Sequence, residues 1–200
     1  MSFCRSIEDF KAVLSGGGVR PTMFQVELNF PSVVTPDPQI AANAGHFLVK
    51  AASIPASTIG TIPIPFRGRD LKVAGDRSFA DWSITVINDD TQVIRKAFEE
   101  WSEMIQNHNY SCGMNDIKKY FSDATVRQYD RDGSQLRAYK MNGCWPVEVG
   151  DIALDFGTKD TIEEYTVTFS YQYWTAAEDG DPTVGSISRN SWSDLNAVTT

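Results

Sequence analysis

The side chains that most often carry catalysis or metal binding are few in this 200-residue chain and lie far apart. His46 and His108 are its two histidines, and neither has a partner at the spacing of a metal site, since zinc is normally bound by clustered His and Cys. We interpret both as structural. His46 begins a predicted strand, and His108 ends a predicted helix, where a cation complements the helix dipole.

Two carboxylate pairs, Asp89-Asp90 and Glu99-Glu100, could be considered for acid–base chemistry. The first pair lies where a helix is expected to start, so capping explains it, and the second falls on the solvent face of that helix. Gly16-Gly17-Gly18 lacks the Lys of a phosphate-binding loop and follows a helix instead of a strand. No nucleophile motif of the G-x-S-x-G type is present. The sequence therefore predicts no enzyme, no cofactor and no metal site.

The three cysteines, Cys4, Cys112 and Cys144, are odd in number and contain no C-x-x-C pair. We expect a reducing compartment without a disulfide framework, and a nucleophilic Cys would need a neighbouring base that the sequence does not place. The first residues lack the apolar segment of a signal peptide, and no apolar run approaches the roughly 18 residues of a membrane span. The sequence predicts no membrane association.

The net charge of −8 is unevenly distributed. Residues 1–150 carry 16 basic and 17 acidic side chains, a balance of −1, whereas residues 151–200 carry 2 and 9, a balance of −7. Binding to nucleic acid through phosphates requires clustered Lys and Arg. This charge pattern excludes a basic nucleic-acid-binding surface.

The stretch from Val73 to His108 is the centre of the predicted fold. Ala80, Trp82, Ile84 and Val86 alternate with polar residues, as in a half-buried strand, and Asn88 to Thr91 supply helix-starting side chains. The apolar residues that follow recur at helical spacing: Ile94, Ala97, Phe98, Trp101, Met104 and Ile105. We predict a strand followed by one long helix over 89–108, which must cover a sheet to bury its aromatic residues.

The remaining chain is predicted to be mostly strands. Thr22–Phe30 alternates cleanly, and an Asp-Gly turn joins Ala124–Tyr129 to Gln135–Met141 in a hairpin. Ser53–Gly75 contains prolines, which suit an edge or an extended arm, and we expect a hairpin that turns at Arg67-Gly68-Arg69. Further strands are expected at Phe47–Ala51, Trp145–Gly150, Ile152–Phe156 and Thr161–Trp174, the last being the longest, with a short helix at Ser6–Leu14 and a loop at Pro31–Gly45.

These elements predict one mainly antiparallel β domain over residues 1–175, a sandwich or open barrel of two packed sheets with one long helix, followed by a polar tail over 176–200. The aromatic residues fall mostly on core-facing positions, and only Trp192 in the tail is expected to be exposed. The predicted core is Phe24, Val26, Leu28, Trp82, Ile84, Val86, Phe98, Trp101, Trp145, Val167, Phe169 and Tyr171.

Several segments together resemble the major tail tube protein of contractile-tailed bacteriophages. The similarity is carried in order by RPTMFQVEL (20–28), VAGDRSFADWSITVINDD (73–90), TVRQYDRD (125–132), Trp145-Pro146 with Val149-Gly150, and EYTVTFSYQYW (164–174). It covers roughly residues 1–175. The loop Pro31–Gly45 is longer than the family's turn, and Ala176–Thr200 extends beyond the similarity.

The resemblance implies a structural subunit that forms hexameric rings, with the inner sheets of six subunits joined into one β-barrel, stacked as a tube. Its implied partners are further copies of itself, the tail sheath protein, and the baseplate and tail terminator proteins. DNA would pass through the lumen during ejection without specific binding. The implied location is the phage tail of the virion, assembled in the host cytoplasm. Tubes of type VI secretion systems are related in fold, and a monomeric, carbohydrate-binding β-sandwich remains the alternative from a different class.

The polar strand faces, which are uncharged or acidic, would suit a lumen wall that phosphates do not stick to, although a plain solvated face explains them equally well. We expect the lumen to be lined by Gln25, Glu27, Asn29, Thr166, Thr168, Ser170 and Gln172. A one-residue register error would exchange this set with the core set. Contacts between subunits or rings are expected at Ile59, Ile62, Ile64, Arg67 and Arg69 in the arm.

Overall fold

A computed structural model of the chain describes residues 7–14, 17–34, 38–110 and 112–178. The helices in these ranges are α1 Ile7–Val13, α2 Pro38–Leu48, α3 Val93–Ile105 and α4 Ile117–Tyr120. The strands are β1 Phe24–Leu28, β2 Val49–Ala52, β3 Ser57–Phe66, β4 Arg69–Phe79, β5 Trp82–Ile87, β6 Ser122–Tyr129, β7 Gln135–Val149, β8 Glu164–Ser170 and β9 Tyr173–Glu178. The fold is mainly antiparallel β, as the sequence predicts.

Seven strands form one antiparallel sheet that the 15-residue strand β7 divides into two halves. Residues 137–142 of β7 pair with β6 and β9, and residues 145–149 pair with β8. We call β1, β6, the first part of β7 and β9 the front half, and the last part of β7, β8, β5 and β2 the rear half. Gly143 lies between the two parts of β7 with φ +64, a conformation that favours glycine.

One apolar core connects both halves of the sheet with α3. Phe98 and Trp101 of α3 are buried, and Phe98 lies between Phe30 and Phe169 with ring-centroid distances of 5.2 and 5.6 Å. Trp82 lies 5.5 Å from Phe169. Aromatic pairs at these separations add to the stabilisation from area burial. The apolar face of α3 therefore packs in the core against residues from both halves of the sheet.

The predicted core set is confirmed. Ten of its twelve members are buried, and the other two, Phe24 and Trp145, are half-buried and pack against the same cluster. Alternation along β1, β5 and β8 was sufficient to identify these residues because each strand buries only one face.

The prediction of a loop at Pro31–Gly45 was wrong, because Pro38–Leu48 forms the 11-residue helix α2. Proline is well suited to the first turn of a helix, and Ala41, Ala44 and Leu48 recur at helical spacing toward the core. α2 also includes Phe47 and Leu48, the first two residues of the strand that was expected at Phe47–Ala51. The described residues therefore contain two helices of similar length, α2 and α3, instead of the one long helix that was predicted.

The helix predicted over 89–108 is shorter, Val93–Ile105, and it starts differently from the prediction. Its N-cap residue is Gln92, which has a left-handed φ of 52, and no side chain caps the first turn. The side chains of Asp89 and Thr91 instead bond to each other. The expectation that Asn88 to Thr91 cap the helix was therefore wrong.

Three strand predictions in the last third of the chain need correction. Trp145–Gly150 is not a separate strand but the end of β7, and Ile152–Phe156 belongs to a loop. The long strand expected at Thr161–Trp174 is two strands, β8 and β9, which lie in different halves of the sheet. Consequently Tyr173 does not share the buried face of β8 and is 51% exposed.

The predicted hairpin arm is confirmed, with a longer return strand than expected. β3 and β4 form a separate two-stranded sheet, which we call the arm, and it turns at Arg67-Gly68, both with positive φ. The arm continues the ribbon formed by β2 and β5, because β2 leads into β3 and β4 leads into β5. At its base the Trp82 indole N–H donates to the Ser53 carbonyl at 2.7 Å.

The ends of the chain are described only in part. α1 agrees with the short helix predicted at Ser6–Leu14, whose proposed cap Ser6 lies outside the described residues. β9 extends into the predicted tail as far as Glu178. The rest of that tail, including Trp192, lies outside the described residues, as does Cys4.

Candidate assembly surfaces

The polar face of β1 contains the first three predicted lumen residues. Glu27 Oε2 lies 2.7 Å from Arg127 Nη2 on the neighbouring strand β6. Gln25 accepts a 2.8 Å hydrogen bond from the Tyr129 hydroxyl, and its amide nitrogen lies 3.3 Å from His46 Nδ1. This face is polar, but its charge is neutralised by a cross-strand ion pair.

The other four predicted lumen residues lie on the polar face of β8 or, for Gln172, in the link that follows this strand. Thr166 is exposed, and the Thr168 hydroxyl lies 3.3 Å from that of Ser83 on β5. Ser170 is half-buried at the end of the strand, while Gln172 is exposed in the link to β9. The face is made of small uncharged side chains over most of its length.

These two polar faces belong to different halves of the sheet. The strand order is β1-β6-β7-β8, so that β6 and β7 separate β1 from β8. Each strand turns its other face into the common core. The predicted lumen set is thus divided into a front set and a rear set instead of forming one surface.

Each half of the sheet ends in two strands that lack a neighbour on one side within the described residues. In the front half these are β1 and β9, five and six residues long. In the rear half they are the four-residue β2, which carries a register shift, and the last part of β7. Unpaired backbone N–H and C=O groups at an edge are a template for pairing with another chain.

The arm exposes apolar side chains along most of its length. All five predicted contact residues lie on it, and Ile59, Ile62 and Ile64 are about half exposed. Arg67 lies over the Phe66 ring at 5.4 Å, whereas Arg69 pairs across the strands with Phe66. The arm therefore presents an apolar surface that the described part of the chain does not cover.

The candidate catalytic residues are dispersed over the structure. His46 is in the last turn of α2 instead of starting a strand, and His108 is exposed beyond the end of α3. Cys112 is exposed and Cys144 is buried, and desolvation raises the pKa of the Cys144 thiol to about 12. Within the described ranges no group of three or more His, Cys, Asp or Glu side chains could hold a metal ion.

The tryptophans that could have stacked on sugars are engaged inside the protein. Trp101 is buried and donates to the Tyr120 carbonyl at 2.8 Å, and Trp145 stacks on Phe121 at 5.0 Å with an interplanar angle of 10°. With Trp82, which is also buried, these contacts place three of the predicted core-facing aromatic residues in the protein interior. None of the helices in the described ranges has the length and apolar character needed to cross a membrane.

Sequence reasoning missed an exposed apolar loop between β7 and β8. Leu154 is 81% exposed, Ile162 is 71% exposed, and Phe156 is fully exposed. We predicted a short strand over Ile152–Phe156 within this segment. Asp-Phe-Gly-Thr-Lys-Asp at 155–160 is a turn-forming run, which is the signal that could have indicated a loop.

The family described as phage tail tube protein matches residues 19–177. The chain belongs to this family. The tail tube protein gp19 of Enterobacteria phage T4 is 33% identical over 165 residues, which cover 82% of this chain and 95% of that protein. A tail tube protein of Serratia phage KSP90 is 27% identical, over 83% of this chain and 94% of that protein.

Solved structures show the same fold at lower identity. A chain of the PVC extracellular contractile injection system, in the sheath–tube complex in the extended state, has a TM-score of 0.58 and 14% identity, with 88% of this chain and 99% of that chain covered. A chain of the anti-feeding prophage baseplate has a TM-score of 0.58 and 13% identity, with coverage of 80% and 96%. At these identities the likeness concerns the fold alone.

Proposed function

We propose that this tail tube protein forms hexameric rings that stack into the tube of a contractile phage tail, through which DNA passes into the host. The observation that carries the proposal is a sheet whose core packs against α3 while the two edge strands of its front half, β1 and β9, each have no strand partner on the outer side within the described residues. A folded domain with open, matched edges is ready to pair with copies of itself. Its role is structural, without catalysis.

The strand directions favour a closed ring. Neighbouring strands in the front half are all antiparallel, so β1 and β9 run in opposite directions at its two edges. When copies are related by rotation about an axis along the strands, β9 of one copy meets β1 of the next in antiparallel orientation. Four strands per copy then give a continuous antiparallel barrel, which has no free edge.

The front half is the better candidate for this closure. Its edge strands are longer than β2 and are similar to each other in length, whereas β2 is short and irregular. In this arrangement the polar face with Gln25, Glu27 and Asn29 lines the lumen. Closure through the rear half would line it with Thr166, Thr168, Ser170 and Gln172 instead, and a density map of the tube distinguishes the two.

The nature of the front face suits the passage of DNA. Duplex DNA carries about one negative charge per 1.7 Å, and unpaired Lys or Arg side chains would hold it by releasing counterions. Arg127 on this face is neutralised by Glu27, and Lys140 lies 2.9 Å from Asp123. A wall whose cations are already paired lets phosphates move without specific binding.

The proposed partners follow from assembly as a tube. Solved assemblies that contain chains of this fold include a sheath, a baseplate and a tube terminator. We expect the same classes of partner here, with the assembled protein located in the virion tail after assembly in the host cytoplasm.

Electron microscopy of the purified protein tests the proposal directly. We expect negative-stain images at high protein concentration, with and without a crowding agent, to show six-fold rings or hollow tubes. Compact monomers that persist after tube or baseplate seeds are added would overturn it.

The arm provides a second test. Deletion of residues 59–64 removes six of the ten residues of β3 and none of the core residues, so the variant should remain soluble and folded while losing the ability to polymerise. Normal tubes from the deletion variant would show that the arm has no part in assembly.

A further inference from the structure

Helix α1 exposes an apolar stripe along one of its sides. Ile7, Phe10 and Leu14 recur at intervals of three and four residues, which places them on the same side of a helix. They are 71%, 63% and 43% exposed, and none of them is part of the apolar core. The Leu14 amide donates to the Phe10 carbonyl at 3.1 Å, so the helical turn continues as far as Leu14. The described part of the chain therefore leaves this stripe open to solvent.

Two segments flank the part of the chain that the tail tube family matches, which is 19–177. α1 precedes it, and residues 179–200, which we call the C-terminal segment, follow it. The C-terminal segment lies outside the described residues. Its sequence contains five large apolar side chains among small and polar ones: Val184, Ile187, Trp192, Leu195 and Val198.

Both segments leave the domain from the same row of residues across the front half. Phe24, the first residue of β1, pairs with Gln128 on β6, and Gln128 pairs with Arg137 on β7. Arg137 in turn pairs with Glu178, the last residue of β9. Neighbouring strands lie about 4.8 Å apart, so three strand spacings, or roughly 14 Å, separate the start of β1 from the end of β9. The chain before β1 and the chain after β9 therefore leave the sheet at the same end.

The lengths of the connecting chain permit a contact between the two segments. Residues 15–23 connect Leu14 to Phe24, and Trp192 lies 14 residues after Glu178. A chain spans at most about 3.3–3.6 Å per residue, so these connections reach up to roughly 30 Å and 50 Å. Both distances exceed the separation of roughly 14 Å between the two strand ends.

The C-terminal segment is better suited to cover the stripe than the other segment at this end of the sheet. The turn between β6 and β7, over 130–134, has the sequence Asp-Arg-Asp-Gly-Ser and offers no apolar side chain. A segment tethered to the same domain also has an effective concentration that reaches the millimolar range. It can therefore cover the stripe in the unassembled protein without a second molecule.

The charges of the two segments indicate that the contact is apolar. α1 carries Glu8 and Asp9 against Lys11, a balance of −1. The C-terminal segment carries three Asp side chains against Arg189, a balance of −2. Segments with the same sign of net charge do not attract each other electrostatically. Burial of apolar surface is then the contribution that holds them together.

We propose that the apolar residues of the C-terminal segment dock on the Ile7, Phe10 and Leu14 stripe of α1 in the same chain. The contact removes apolar side chains of both segments from water. It also joins the chain that precedes β1 to the chain that follows β9, the two edge strands of the front half. The contact needs neither rings nor tubes, so it is tested on unassembled protein and does not depend on the proposed function.

Disulfide trapping tests which side of α1 receives the C-terminal segment. In a background with Cys4→Ser and Cys112→Ser, Phe10→Cys is combined with one cysteine in the segment, and dilute unassembled protein is oxidised. We expect at least one pair to form a disulfide within single chains, seen as faster migration of the monomer on a non-reducing gel. The matched control replaces Phe10→Cys by Ala12→Cys, an exposed position on the other side of α1, and should give a several-fold lower yield. The second substitution is in turn Val184→Cys, Ile187→Cys, Trp192→Cys, Leu195→Cys and Val198→Cys.

Limited proteolysis tests the contact without changing the C-terminal segment. Arg189 is the one Lys or Arg among residues 179–200, so tryptic cleavage there is measured by mass spectrometry as the loss of residues 190–200. Ile7→Ser with Phe10→Ser removes most of the stripe and should accelerate this cleavage by about five-fold or more. Phe47→Ser, which removes an exposed apolar side chain from α2, is the control and should leave the rate unchanged. Because the contact is apolar, the ratio of the two rates should persist at high salt.

Every other outcome overturns the contact. Equal disulfide yields from Phe10→Cys and Ala12→Cys, or no disulfide with any of the five partners, would show that the stripe does not receive the segment. Disulfide-linked dimers without a cross-linked monomer would mean that the segment reaches a second copy instead of its own chain. An unchanged rate of cleavage after Arg189 in the Ile7→Ser, Phe10→Ser variant would show that the stripe does not protect the segment. None of these results bears on whether the protein forms tubes.

Discussion

The core around α3 and the arm have similar sequence patterns, but the apolar residues are buried in the core and exposed in the arm. In the core, alternating residues of β5 and β8 are buried against Phe98 and Trp101 of the same chain. In the arm, Ile62, Ile64 and their cross-strand partners form an equally regular apolar face that remains exposed. Periodicity states which residues share a face. Whether the chain covers that face itself depends on tertiary packing, which the alternation of a single strand does not contain.

The largest contrast is expected from truncating one apolar side chain in each region. Phe98→Ala removes a ring that lies between Phe30 and Phe169, and we expect it to lower the free energy of unfolding by about 3–5 kcal/mol. Ile64→Ala in the arm should change it by less than about 0.5 kcal/mol. Chemical denaturation of unassembled protein measures both. Equal losses would mean that the arm packs on the core in the monomer.

A second contrast concerns Cys144 in the core and Cys112 at the surface. Burial raises the pKa of Cys144 to about 12 from an ordinary value of 9.0. Above pH 9 the unfolded thiol loses its proton while the folded thiol keeps it. The unfolded state therefore binds fewer protons, and stability falls as pH rises from about 9 to 12. The loss should approach about 4 kcal/mol at most, and Cys144→Ala should remove this component of the slope.

Thiol labelling tests the same contrast without unfolding the protein. In a Cys4→Ser background at pH 8, a thiol reagent should modify Cys112 rapidly and Cys144 only after denaturation, because the thiolate is the reactive form. Rapid modification of both thiols in the folded protein would contradict the burial of Cys144 in the core.

Two glycines with positive φ give a third comparison. Gly143 has φ +64, and an added Cβ would lie 3.0 Å from Gln172 Cγ and 3.3 Å from Phe121 Cδ2. Gly143→Ala should therefore cost about 1–3 kcal/mol of unfolding free energy, because backbone strain and crowding act together between the two parts of β7. Gly68→Ala, at the arm turn with φ +82 and nothing within 4 Å, should cost less, about 1 kcal/mol, because only the strain of the left-handed backbone remains. A neutral Gly143→Ala variant would show that this position of β7 tolerates a side chain.

Much of the fold could be predicted from local patterns because those patterns have local physical causes. The core faces of β1, β5 and β8, the Asp-Gly hairpin and the turn at Arg67-Gly68 follow from strand alternation and from the backbone conformations that turns require. These features need no knowledge of distant residues.

The errors occurred where distant contacts decide the structure. The segment that contains α2 was interpreted as a loop from its prolines, although Ala41 and Leu48 pack on the core and stabilise a helix. β8 and β9 were joined into one strand because alternation continues through Tyr171, yet the chain crosses to the other half of the sheet there. The choice of lumen residues depends on contacts between copies, which no single-chain pattern contains.

The smallest effect is expected on the polar face of the front half. Glu27 and Arg127 form an ion pair at 2.7 Å, but their side chains keep 30% and 26% of their exposure. Water screens such a pair, so Glu27→Gln should lower the unfolding free energy by no more than about 1 kcal/mol. Glu164→Gln, which breaks the more exposed ion pair with Lys50 on the rear half, is the control, and its effect on the unfolding free energy should be no larger.

The same substitution is informative in the assembled state. If the front face lines a lumen, Glu27→Gln leaves Arg127 without its carboxylate in every copy of the ring, and the added cations should make tubes retain short duplex DNA at low salt. Glu164→Gln frees Lys50 on the rear face and should not have this effect, because that face then lies outside the barrel. Retention by the Glu164→Gln tubes alone would assign the lumen to the rear half. Co-sedimentation of labelled DNA with open-ended tubes over a range of salt concentrations therefore decides which half encloses the channel.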